Sequence, residues 1–82
     1  MQWKTVDSTS VAAIGYDPGK RELGIRFRES GDVYFYFDVP AEEHESFLAA
    51  ESKGNYLNRV FKLKGYHYSG PHPNPDPKRS AA

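Results

Sequence analysis

Between residues 10 and 37 the chain alternates apolar and polar positions in three short runs separated by turn-forming residues. Ser10 to Tyr16 reads as a strand, and Asp17-Pro18-Gly19-Lys20 as its turn. Proline presets φ at the first turn position and glycine accepts a positive φ at the next. From Arg21 to Arg28, Leu23, Ile25 and Phe27 alternate with Gly24, Arg26 and Arg28, the period-two pattern of a half-buried strand. A second turn at Glu29-Ser30-Gly31-Asp32 leads into Val33 to Phe37, where Tyr34, Phe35, Tyr36 and Phe37 put rings on both faces. With two-residue loops at Pro18-Gly19 and Ser30-Gly31, Tyr16 faces Arg21, Ile14 faces Leu23, Ala12 faces Ile25, Phe27 faces Tyr34 and Ile25 faces Tyr36. Tyr34 and Tyr36 then lie on the core face. The other face carries Val11, Ala13, Gly15, Gly24, Val33, Phe35 and Phe37, with Arg26 opposite Phe35 and Arg28 opposite Val33.

After Phe37 the period becomes helical. Pro40 suits the first helical position, where its missing N–H costs nothing, and Glu42 and Glu43 fall in a first turn whose dipole favours acids. A helix from about Pro40 to Ala50 is predicted, burying His44, Phe47 and Leu48 with Glu51 at the rim. Ser52 reads as an N-cap, and Tyr56, Leu57, Val60 and Phe61 recur at helical spacing, so a second helix runs from about Lys53 to Leu63 and stops at Gly65. Tyr66-His67-Tyr68 ties its end back to the core. Prolines at 71, 73, 75 and 77 exclude helix and ladder beyond Ser69 and form no P-x-x-P ligand. The fold class is therefore α+β: a three-stranded antiparallel meander followed by two short helices packed on one face. The domain covers residues 6–68, and residues 69–82 form a Pro-rich disordered tail.

Composition narrows the function. In 82 residues, 38% hydrophobic and 15% aromatic, a core must be built from a few large rings, each burying roughly 150 to 250 Å². The absence of cysteine excludes disulfides, thiolate metal sites and cysteine nucleophiles, and fits a reducing compartment. Met1 to Asp7 lacks the apolar run of a signal peptide, and no stretch approaches the roughly 20 apolar residues of a membrane span. A cytoplasmic protein with no membrane contact is expected. His44, His67 and His72 are scattered, giving neither a triad nor a metal cluster. The expectation is no enzyme and no cofactor. Acids and bases balance at 11 each, which removes any global attraction to nucleic acid, yet their distribution is polarised. Glu42, Glu43, Glu45 and Glu51 precede a segment that carries Lys53, Arg59, Lys62 and Lys64 and no acid.

The order Tyr34-x-Tyr36, Val39-Pro40, Ser52-Lys53-Gly54-x-Tyr56 and a closing tyrosine resembles the KTSC domain family over about Val6 to Tyr68. That family is named for a segment at the C-terminus of some lysyl-tRNA synthetases and also occurs as free-standing small bacterial proteins. The resemblance implies a bacterial protein and, through the synthetase, RNA binding. Phe35 departs from the family pattern, in which the residue between the two tyrosines is often polar.

Three surfaces carry candidate chemistry. Lys53, Arg59, Lys62 and Lys64 can meet phosphates, with Arg26, Arg28 and Phe35 as a second nucleic-acid surface in which guanidinium stacks on ring. The same outer sheet face equally suits protein interaction or self-association. At Ser52, Lys53, Gly54 and Asn55 a helix start, a glycine and a lysine could hold an anion, against the plainer reading of a capped helix corner. Tyr34 and Tyr36 admit base stacking as well, but the register favours packing.

Overall fold

The computed structural model describes residues 1–73. Five strands form one antiparallel sheet in chain order: β1 (Gln2–Thr5), β2 (Val11–Asp17), β3 (Glu22–Phe27), β4 (Val33–Tyr36) and β5 (Tyr68–His72). The predicted three-stranded meander is its centre, extended by one strand at each edge. β5 begins at Tyr68 and runs into the segment expected to form no ladder, and residues 74–82 of the predicted tail lie outside the described residues. Pro71 is tolerated because the β4–β5 register shifts between Val33↔His72 and Phe35↔Ser69, where a missing N–H breaks no regular rung.

The hairpin registers are each two residues away from expectation. Tyr16 pairs with Leu23 and Ile14 with Ile25, while Leu23 pairs with Tyr36 and Ile25 with Tyr34. The loops are longer than two residues. In the first, the Asp17 carboxylate accepts from the Gly19 N–H at 3.0 Å and the Lys20 N–H at 3.2 Å, and Arg21 closes the loop with φ 56°. In the second, the Phe27 N–H donates to the Asp32 carbonyl at 3.0 Å. A shift of two preserves every side chain's face, so Tyr34 and Tyr36 stay on the helix side. It changes the partners, however: Phe35 lies opposite Gly24, Arg26 lies opposite Val33, and Arg28 leaves the ladder. A bulge between Val11 and Ala13 turns Val11 onto the core face, where it is fully buried.

α1 (Ala41–Ala49) follows Pro40, and its Phe47 is buried against the sheet while His44 and Leu48 are half-buried and Glu51 is exposed. Burying a phenyl ring of this kind stabilises by about 1.5 to 3 kcal/mol. α2 (Lys53–Tyr56) continues into a π-helical turn (Leu57–Phe61) and a 3-10 turn (Lys62–Lys64) that ends at Gly65 with φ 73°. The wide turn points Leu57 and Phe61 into the core and leaves Val60, an expected core residue, exposed. Phe61 meets Tyr36 edge-on at 4.8 Å and Phe47 at 5.4 Å. With Ile14, Leu23, Ile25 and Val39 these rings make the core between the sheet and the helical layer.

Candidate functional site

Between the π-helical turn and the β3–β4 end of the sheet, a cleft of about 940 Å³ opens. Its sheet wall is Phe27, Tyr34 and Tyr36; Leu57, Asn58, Phe61 and Lys62 form the helical wall, and Tyr66 and Tyr68 line it from the returning chain. The rings follow one another: Phe27 and Tyr34 edge-on at 5.4 Å, Tyr34 and Tyr68 at 5.9 Å, Tyr68 and Tyr36 at 5.5 Å, Phe61 and Tyr66 at 5.0 Å. The two signature tyrosines share a face but differ in access. Tyr36 is 6% exposed and closes the floor, whereas Tyr34 is only half-buried and presents its ring to the opening. Burial, then the neighbouring hydroxyls of Tyr34 and Tyr68, push the Tyr36 phenol above its ordinary pKa, so it remains a protonated donor.

One polar cluster adjoins the cleft through Tyr66. Glu43 is 4% exposed, and its carboxylate accepts from the Tyr56 hydroxyl, from Lys64 Nζ at 2.5 Å and from the Tyr66 hydroxyl at 3.0 Å. Burial opposes its charge, but the hydrogen bonds from Lys64, Tyr56 and Tyr66 outweigh that and hold it below the ordinary carboxylate value. Desolvation and the bond to Glu43 raise both phenols, and the bond to Glu43 raises Lys64. The first-turn position of Glu43 was legible; its inward direction was not.

The predicted site residues fall into separate places. Arg59 and Lys62 are exposed on the second helical segment and form no ion pair among the described residues, and Lys62 lines the cleft. Lys64 is held by Glu43. Lys53 Nζ donates to the Ala50 carbonyl at 2.5 Å, bridging α1 to α2. Ser52 Oγ accepts from the Asn55 N–H at 3.2 Å, and a Cβ on Gly54 would stand 3.1 Å from Ser10 Oγ, so this corner is capped and close-packed. Arg28 donates from Nε to the Ser8 carbonyl at 2.7 Å and from Nη2 to the Val6 carbonyl at 3.0 Å, fixing the loop between β1 and β2.

Arg26 and Phe35 occupy the opposite sheet face together with a residue the sequence analysis did not single out. Trp3 pairs with Gly15, which pairs with Gly24, which pairs with Phe35, one row across four strands. The indole lies in the trough left by the two glycines, where a Cβ on Gly24 would come within 2.6 Å of it. The Arg26 guanidinium lies 5.8 Å from its centroid and Phe35 meets it edge-on at 6.5 Å, with His72 beside Phe35 at 5.5 Å. The signal available beforehand was a lone tryptophan together with two glycines predicted on the same outer face of a hairpin; that the glycines pair directly emerged only with the observed register.

Among the described residues no cluster of His, Cys, Asp and Glu is arranged to hold a metal ion, and no helix is long and apolar enough to cross a membrane. An antiparallel sheet with two helices on one face and an aromatic cleft at their margin defines a small α+β domain of one core. The KTSC domain profile matches residues 7–68, and the chain belongs to the KTSC domain family. A crystal structure of a KTSC domain protein from Yersinia pestis is similar to it with a TM-score of 0.76 and 40% identity, covering 83% of this chain and 93% of that one. A protein from Tsukamurella paurometabola is 42% identical over 57 residues, 70% of this chain and 84% of its own length. An uncharacterised protein from Stutzerimonas stutzeri is 38% identical over 68 residues, 83% of this chain and 94% of its own. A lysine–tRNA ligase from Nostoc is 34% identical over 56 residues, 68% of this chain but 10% of the ligase.

Proposed function

We propose that this protein is a non-catalytic module that binds single-stranded RNA in the aromatic cleft. The observation that carries the reading is the pairing of an open, ring-lined cleft with two cations that form no ion pair among the described residues, Lys62 on its wall and Arg59 on the same helical segment. Unpaired bases stack on exposed aromatics, each worth about 1 to 3 kcal/mol, and cations alongside meet the backbone. Tyr34, Tyr66 and Tyr68 are the rings within reach of such a base. The likeness to part of a lysine–tRNA ligase supports the same reading from outside the structure.

The test is a titration with tRNA and with short single-stranded RNA, followed amide by amide. Shifts are expected at Tyr34, Asn58, Lys62 and Tyr68. If Arg59 and Lys62 supply two phosphate contacts, log affinity falls against log salt with a slope of about −1.4, and Lys62→Glu reduces that slope. Absence of binding at low salt removes the reading.

A second reading is favoured by one observation on the other sheet face. Trp3 is 41% exposed beside Arg26 and Phe35, a surface suited to self-association or to a protein partner. Sedimentation that stays at monomer mass from micromolar to millimolar protein eliminates the self-association form.

A further inference from the structure

The cleft is chemically asymmetric. Lys62 stands on its helical wall, while the β3–β4 turn contributes Glu29 and Asp32. Neither carboxylate forms an ion pair among the described residues. Asp32, in the turn just before β4, and Tyr34, within β4, both line this cleft. A ring stacked on Tyr34 would lie in the cleft that Asp32 also lines. Ser30 adds a hydroxyl from the same turn, although its Oγ already accepts from the Asp32 N–H at 3.1 Å.

Two carboxylates would repel a nucleic acid if they faced its phosphates. Facing a base edge, they act as acceptors and need donors. Adenine and cytosine each present one exocyclic amino group on the Watson–Crick edge, next to a ring nitrogen that accepts, and uracil presents a single N–H between two carbonyls. Guanine alone presents two adjacent donors, N1–H and the 2-amino group, spaced for the two oxygens of one carboxylate. We infer that the cleft, on the RNA reading above, selects guanine among unpaired bases, with Asp32 accepting from N1–H and the 2-amino group, Tyr34 stacking on the ring and Lys62 meeting the phosphate. Glu29 is the second acceptor from the same turn. Selectivity of this kind follows from the donor pattern: guanine gives both carboxylate oxygens a donor, whereas every other base sets an acceptor opposite one of them.

The experiment compares four labelled RNA pentamers, UUGUU, UUAUU, UUCUU and UUUUU, with a fifth that carries inosine at the centre. UUGUU is expected to bind tighter than the others by at least about fivefold, the lower end of what a bidentate base contact supplies. The inosine pentamer, lacking the 2-amino group, should lose most of that margin. Asp32→Asn should abolish the margin while leaving UUAUU within about twofold. This substitution alters only the side chain, so the backbone bond from the Phe27 N–H to the Asp32 carbonyl persists. Equal binding of all pentamers overturns the inference and leaves the RNA reading standing. A uniform tightening of every pentamer by Asp32→Asn also overturns it, because it shows the carboxylate facing phosphate. If no pentamer binds while an arginine-containing peptide shifts Tyr34 and Asp32, both readings fail and the acids serve a guanidinium.

Discussion

At Glu43 a single side chain joins α1 to the far end of the second helical segment. Its carboxylate serves two phenols and one ammonium, so replacing it strands partners that are themselves partly withdrawn from water. Glu43→Gln keeps the volume and loses the charge, and a cost of about 1 to 3 kcal/mol near neutral pH is expected from urea denaturation. The pH dependence follows from the direction of each shift. Glu43 is held below its ordinary value of 4.5, so its contribution is complete above that value and is lost as pH falls through the depressed one. Tyr56, Tyr66 and Lys64 are raised, so theirs is complete below their ordinary values and is lost only in strong alkali. The gap between wild type and Glu43→Gln should therefore narrow on acidification. A gap as wide at about pH 3 as at about pH 7 would mean that the charge of Glu43 contributes nothing.

Among the strands, the outer face of the sheet is shaped around Trp3. Gly15 and Gly24 exist to let Trp3 lie down, since a methyl on Gly24 would stand 2.6 Å from the indole. Gly24→Ala should lift Trp3 and loosen β1 from β2. Because Trp3 is the single tryptophan, the displacement reads directly as a red shift and added quenching of its fluorescence. An unchanged emission spectrum would show that the indole finds the trough unnecessary. The same strands show what sequence patterning could reach. β2, β3 and β4 were legible because half-burial imposes period two on them. β1 was not, for its four residues are all exposed and carry no alternation. β5 was hidden by Pro71 and Gly70, which ordinarily deny a ladder and here sit where the register slips. Register missed by two because loop length depends on Asp17 and Arg21 as much as on Pro18 and Gly19. Parity survived, and with it the placement of Tyr34 and Tyr36. The basic run from Lys53 to Lys64 was equally plain in the sequence, but proximity in sequence said nothing of the different partners that Lys53 and Lys64 take in the fold.

For the whole molecule, the order of the sheet is the order of the chain, and that has a bearing on how it opens. β1 to β4 are joined by successive hairpins, each closing a short loop. β5 reaches β4 only after the chain has passed through both helices, so its pairing carries the largest loop-closure entropy in the sheet. It is also an edge strand with exposed residues and an interrupted ladder. Local opening concentrates in elements of this kind, and amide hydrogens of β5 should exchange before those of β2 and β3. Tyr68, which packs on both Tyr34 and Tyr36, belongs to that strand. One wall of the cleft thus sits on an edge strand, so opening of that strand would widen the entrance without disturbing the meander. A molecule held between Tyr34 and Tyr68 would act as the missing rung, slowing exchange in β5 far more than anywhere else in the sheet.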